Sequence, residues 1–289
     1  MFIFRKLGDM IVFLDRNFKG ILLFILILIL FLPMGEDATE FGNLQEIKLT
    51  GEIVDASEVL KEIDEAKEND EVKGVLFNID SPGGSVPPSI EIAHAIKELK
   101  SKKPVVAYTS GSLASGSYYS SIYANKIVAN PGSIVGSIGV IMESANVKEL
   151  LDTVGIKPQV VKMGLYKEAG TPTREWTPEE RIELETLARD TYNKFVSDVA
   201  TARKLDIKKA NSYANAHVFS AQRAKSLGLI DEVATINRAK EILYTLSKVE
   251  EPIWIEKDKV ESFMDELSSE AISQIYMFSS AGLKSKFEF

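Results

Sequence analysis

The sequence predicts an α/β fold with largely parallel strands, preceded by a single N-terminal transmembrane helix. Three observations carry this expectation. Short β-rich runs alternate with helical patterns from residue 46 onward, the order that a parallel sheet with right-handed crossovers requires. An unbroken apolar run of 12 residues, Ile21 to Leu32, lies near the amino terminus. With 289 residues, 45% of them hydrophobic, the chain has ample material for a buried core.

The elements follow in order. Residues 1–17 carry apolar positions at 3, 7, 10, 11 and 14, compatible with a helix lying in the inner membrane interface. Residues 18–35 hold a single charge, Lys19, whose stem can lie along acyl chains while its ammonium reaches the headgroups; at about 1.5 Å per residue this stretch spans about 27 Å. Pro33, Met34, Gly35 and Glu36 offer no small-x-small cleavage site, so the segment reads as an uncleaved anchor. Arg16 and Lys19 precede it, and Glu36, Asp37 and Glu40 follow it. The positive-inside rule then places the amino terminus in the cytoplasm and the body outside.

Residues 36–45 read as a linker, 46–250 as one catalytic domain and 251–289 as a C-terminal extension whose apolar set, including Ile272, Tyr276, Phe278 and Phe287, suits packing or oligomer contact. Within the domain, Glu46 to Val54 is a strand pair or bent strand, and Ser57 to Asn69 has helical spacing. Val72 to Ile79 is a buried strand, Ser89 to Leu99 a helix and Pro104 to Tyr108 a strand. Lys126 to Ala129, Ile134 to Met142 and Gln159 to Met163 are expected strands, with a helix near Asn146 to Thr153. A long helix runs from Pro178 to Lys204 with Thr177 as its N-cap; Ser220 caps a short one ended by Gly228.

Composition narrows the chemistry. With 34 Lys and Arg against 42 Asp and Glu, the net charge is -8. Residues 1 to 34 are net +2 and the remainder -10, an acidic body that repels phosphate backbones and disfavours nucleic acid as a partner. The absence of cysteine excludes a thiol nucleophile, a disulfide framework and a thiolate metal cluster. Only His94 and His217 supply imidazole, so acid-base work falls to them or to another residue type. No metal or cofactor is expected.

Two glycine-containing turns follow predicted strands. Asp80-Ser81-Pro82-Gly83-Gly84-Ser85 can point backbone N–H groups outward as an oxyanion cradle, yet it lacks the spacing of a nucleotide loop. Gly111 to Tyr119 lies in a stretch with six serines between 110 and 121, most of them solvated hydroxyls or caps on base rates. Ser115 differs, because it stands between Ala114 and Gly116 where a helix begins; its hydroxyl can stand clear while the Gly116 N–H faces a developing oxyanion. A serine needs a base. Each histidine reads as a core or surface residue, which leaves lysine, and Lys167 occupies the loop Met163 to Pro172. A lysine base must be neutral, hence desolvated or beside other positive charge.

The series Asp-Ser-Pro-Gly-Gly at 80–84, Ala-Ser-Gly-x-Tyr-Tyr at 114–119, Gly-Ser-Ile-Gly-Val-Ile at 136–141, the Lys167 loop ending Pro172-Thr173-Arg174-Glu175, and Gln222 to Asp231 resembles the signal peptide peptidase A family, the S49 Ser/Lys peptidases. The resemblance covers residues 46–245 and looks like the short, single-domain form. It implies a ClpP/crotonase-like spiral of ββα units, a membrane anchor and a ring-shaped homo-oligomer, an octamer. It implies Ser115 as nucleophile, Lys167 as general base, Ser137 as the residue orienting that lysine, and the N–H groups of Gly116 and of Gly83 or Gly84 as the oxyanion hole. Short forms of the family assemble the dyad from neighbouring protomers. One departure stands beside the nucleophile, where Ser117 replaces the family's usual glycine. The implied activity is endopeptidase hydrolysis of hydrophobic peptides, such as remnant signal peptides, at the outer membrane face. Two other readings keep the fold: a crotonase-type acyl-CoA hydratase or thioesterase, and an inactive membrane scaffold.

Overall fold

The computed structural model describes residues 42–255. The expected anchor over 18–35, the segment before it, most of the linker and nearly all of the C-terminal extension lie outside those residues. Among the described residues no helix is long and apolar enough to cross a membrane.

The chain enters as β1 (Leu44–Ile53), a single strand, and continues through α1 (Ser57–Glu68), β2 (Gly74–Gly84), α2 (Val86–Lys102) and β3 (Val105–Ala114). Next come α3 (Gly116–Ser121), β4 (Lys126–Ala129), β5 (Ile134–Gly136), α4 (Lys148–Thr153) and α5 (Pro178–Arg203). A 3-10 turn and α6 (Ala210–Tyr213) lead to β6 (Val218–Ser220), α7 (Ala221–Ser226), β7 (Glu232–Val233) and α8 (Ile236–Ser247). Strands β1, β2, β3, β4 and β7 lie side by side in that order, all parallel. Beyond the point where β4 leaves β3, β5 takes over that edge in parallel and pairs in turn with antiparallel β6.

Alternation along the strands sorts the core into two faces, as a strand's period of two demands. Leu76, Val106, Tyr108 and Val128 pack with Ala239 and Leu243 of α8 on one face. Val75, Phe77, Ile79, Val105, Ala107 and Ile127 face the larger cluster beneath α1, α2 and α3. Being covered on both sides explains why these strands read as continuous apolar runs.

Side chains and caps fix the frame. Asp231, the end of the last quoted motif, accepts from the Ile127 N–H at 2.8 Å and from Arg203 at 3.0 Å, joining β4 to the end of α5. The N-cap Thr177 and Glu180 form a complete capping box at the start of α5, as the sequence leads one to expect of Thr177. At the outer edge Leu44 bridges Trp254 in parallel, and Asn43 N–H donates to the Ile253 carbonyl at 2.8 Å. The side-chain oxygen of Asn43 accepts from Ile253 N–H at 2.9 Å, and Ile255 N–H donates to the Leu44 carbonyl at 2.9 Å.

Two expected elements differ. Gln159 to Met163 is no strand; these residues are exposed and make no ladder, so the β-favouring Val160 and Val161 have no neighbouring edge to pair with. The strand beginning at Ile134 ends at Gly136 rather than Met142, because Gly136 (φ 118°) and Ser137 (φ 51°) turn the backbone out of the sheet.

Candidate active site

The parallel sheet delivers two strand ends to one place. β3 runs straight into α3, and Ser115 is the single residue between them, at φ 53° and ψ -123°. A residue with a Cβ in this region carries strain of order 1–3 kcal/mol. The bend projects the side chain away from both elements, as in the strained strand-to-helix turns that present nucleophiles elsewhere. Surrounding bonds enforce it. Ser115 N–H donates to the Gly136 carbonyl at 2.8 Å, and the Ser115 carbonyl accepts from Tyr119 N–H at 3.0 Å.

Ser117 turns out to be a brace. Its fully buried hydroxyl accepts from the Ala114 N–H at 2.9 Å and donates to the Ser81 carbonyl at 2.7 Å. This side chain therefore pins the Ser115 turn to the glycine turn on β2.

The two glycines there divide the work. Gly83 N–H is held by the Ser81 hydroxyl at 3.2 Å, and Gly83 is buried against the nucleophile. At φ +103° it occupies a conformation that favours glycine, and a Cβ would stand 2.7 Å from both Ser115 Cβ and Gly116 N. Gly84 is exposed, and it lines the same pocket as Ser115 and Gly116. The Gly84 nitrogen lies 3.3 Å from where a Cβ on Gly116 would be, while that Cβ would collide with the Ser89 hydroxyl. Gly116 thus has room for no side chain, and two backbone nitrogens stand together beside Ser115.

Ser137 lines this pocket too, held by its N–H to the His217 carbonyl at 2.7 Å. The pocket has a volume of about 320 Å³, with walls from Val86, Ile90, Tyr119, Val140, Ile141 and Phe195. Tyr119 and Phe195 meet edge to face with ring centroids 5.0 Å apart. Tyr119 donates its hydroxyl proton to Asp198, and burial followed by that bond pushes the phenol well above its ordinary range. One lysine, Lys194, borders the pocket, and its Nζ donates to Asp198 at 2.9 Å.

The single chain thus brings together Ser115, Ser137, Gly84 and Gly116, with Gly83 directly behind them. Lys167 is elsewhere. It is exposed in a turn from Gly164 to Gly170 and does not line the pocket. Neither histidine ring borders the pocket: His94 lies beside Tyr123, and His217 beside Phe219. Sequence reasoning missed Ser117 as a brace, Ser89 behind Gly116, and a cluster of Arg174, Glu168, Lys162 and Glu180 around the base of the Lys167 turn. The Thr177-x-x-Glu180 spacing was a usable signal for one member, since it is the capping-box pattern.

The profile of peptidase family S49 matches residues 97–250. A putative protease of Methanocaldococcus jannaschii is 41% identical over 202 residues, 70% of this chain and 65% of that one. A putative protease of Synechocystis is 38% identical over 76% of this chain and 79% of its own length. The chloroplastic serine protease SPPA of Arabidopsis thaliana is 33% identical over 68% of this chain, which spans only 30% of that longer protein.

Proposed function

Because the chain belongs to peptidase family S49, and its relatives include one named a serine protease and several named proteases, we propose that it is a serine endopeptidase working through Ser115 and Lys167. The observation that carries this reading is the strained Ser115 turn, set beside two backbone nitrogens at the mouth of an apolar pocket.

In the proposed cycle the neutral Lys167 amine takes the Ser115 proton as Oγ attacks the substrate carbonyl. The Gly84 and Gly116 N–H groups hold the oxyanion, with Gly83 providing the space behind them. The lysine ammonium then protonates the departing amine. Returned to the neutral form, it activates the water that hydrolyses the acyl-enzyme. Ser137 accepts from and orients the lysine. The apolar walls of the pocket take a hydrophobic side chain of the substrate.

Lys167 comes to Ser115 from a neighbouring copy in this reading. Its exposure supports that, as do the apolar side chains of the same stretch, Ile141, Leu150, Val161, Met163 and Leu165, which stand in solvent on the single chain. Covering them would also strip water from the amine, the condition a lysine base requires. The reading extends to a homo-oligomeric ring, an octamer with a ClpP/crotonase-like arrangement of ββα units. The segment at 18–35 tethers it to the cell membrane, with the catalytic body outside and remnant signal peptides or unfolded apolar segments as substrates.

The full chain in detergent, assayed on fluorogenic hydrophobic peptides with Ser115→Ala and Lys167→Ala beside the parent, tests it. Loss of turnover in both variants is expected. Parental turnover in either would overturn the dyad.

A further inference from the structure

The charged cluster at the base of the Lys167 turn is built with more care than a solvent-facing loop needs. Glu180, in the first turn of α5, is 1% exposed and the one buried carboxylate among the described residues. Arg174 grips it with a two-pronged fork, Nη1 to Oε2 at 2.8 Å and Nη2 to Oε1 at 2.7 Å. The same Nη2 reaches Glu168 Oε2 at 3.2 Å, and Lys162 Nζ meets that oxygen at 2.6 Å. Lys162 also approaches Glu180 at 4.0 Å.

Backbone bonds carry the grip into the turn. Thr171 N–H donates to the Glu168 carbonyl at 2.9 Å, Ala169 N–H to the Tyr166 carbonyl at 3.0 Å, and Trp176 Nε1 to the Thr171 carbonyl at 2.9 Å. Glu180 is itself fixed to the helix start, accepting from Thr177 N–H at 2.9 Å. The path from α5 to residue 168 therefore runs through two carboxylates and one guanidinium, and residue 167 is the next along the chain.

We propose that Arg174, Glu168 and Glu180 form a clamp that positions Lys167, locking an otherwise exposed turn to the rigid start of α5. This inference rests on Lys167 being the catalytic base. A bidentate guanidinium–carboxylate pair sets direction as well as distance, which a single ion pair does not. The turn needs such a device because little apolar packing holds it: Met163, Leu165 and Tyr166 are exposed. Arg174, Glu168 and Glu180 act through the lysine and touch no reacting atom, so they are positioning residues.

The clamp predicts a loss confined to turnover, since misplacing a reacting group by about 1 Å costs on the order of 100-fold while the substrate pocket is untouched. The test uses the full chain in detergent and one fluorogenic peptide. Glu180→Gln keeps the oxygen that accepts from Thr177 N–H and Arg174 Nη1, removes the charge and sets an NH2 donor against Arg174 Nη2, so one prong of the fork is lost; Arg174→Met removes the fork; Arg174→Lys returns a charge without it. Expected are a fall in kcat of about 10- to 100-fold for the first two with KM within threefold of the parent, and partial recovery in Arg174→Lys. Should Arg174→Met fail to fold, Glu180→Gln carries the same test.

Parental kcat in both Glu180→Gln and Arg174→Met, with Lys167→Ala inactive, would overturn the clamp and leave the dyad standing. A kcat loss matched by an equal rise in KM would overturn it as well, by showing a general distortion. Parental turnover in Lys167→Ala would remove the dyad and the clamp together.

Discussion

The Ser115 N–H and the Gly136 carbonyl are joined at 2.8 Å, so the strained turn of one strand end is tied to the residue just before Ser137 on another. β3 and β5 pair in parallel up to that contact, with Ala114 opposite Gly136. The distance between the two pocket serines is therefore set by sheet geometry rather than by loop conformation, which is how a rigid scaffold holds a site.

The conformation of Ser115 predicts a trade between stability and activity. Glycine tolerates a positive φ, so Ser115→Gly is expected to raise the unfolding free energy by about 1 kcal/mol while abolishing peptidase turnover. Chemical denaturation and a peptide assay on the same preparation check both halves.

Gly83→Ala is expected to fold less stably and lose about 100-fold or more in kcat. Its new methyl would meet Ser115 Cβ and Gly116 N at 2.7 Å and push the oxyanion donors out of place. Labelling of Ser115 by a fluorophosphonate should slow in parallel.

Ser117→Gly removes the bracing hydroxyl and is expected to destabilise the protein by about 1–3 kcal/mol. The Ala114 N–H and Ser81 carbonyl would lose a buried partner with nothing to replace it. A lower denaturant midpoint with unchanged slope is the expected signature.

The pocket walls predict a substrate preference that can be moved. Ile90 lines the pocket, and Ile90→Phe narrows it. The ratio of kcat/KM for a large aromatic over a small aliphatic side chain at that position should fall about 10- to 200-fold, the range one or two methylenes command. Competition between two labelled peptides measures it directly.

The Arg174 fork, followed by the Thr177 N–H, lowers the Glu180 carboxyl to about 2. An ordinary glutamate in the unfolded chain titrates near ~4.3. With the folded value depressed, the stabilisation is fully present above the unfolded value and is lost as pH falls through about 2. The difference in melting temperature between the parent and Glu180→Gln should therefore be constant from neutral pH to about pH 5 and shrink toward pH 2. Any loss of peptidase activity between pH 5 and 8 then originates outside this pair.

The sequence made the strand and helix order legible because each buried strand is a short apolar run and α5 carries an overt cap. It also pointed to Ser115 from its place between alanine and glycine. Two things were hidden. Val160 and Val161 looked like a strand because propensity says nothing of whether an edge is available to pair with. Ser117 read only as a departure from glycine, since a hydroxyl's value depends on buried backbone groups, one of them on the neighbouring strand 36 residues earlier. That Lys167 does not line the pocket of the single chain was not legible from its own neighbours in sequence, since the fold of the long stretch between β5 and α5 follows from no clear apolar period. The expected anchor and most of the extension fall outside the described residues.

The knot of bonds between Asn43, Leu44 and residues 253–255 also has a mechanical meaning. It makes the two ends of the catalytic body a single attachment point. Ser115, at the end of β3, is separated from that edge by β2, the strand that pairs with both β1 and β3.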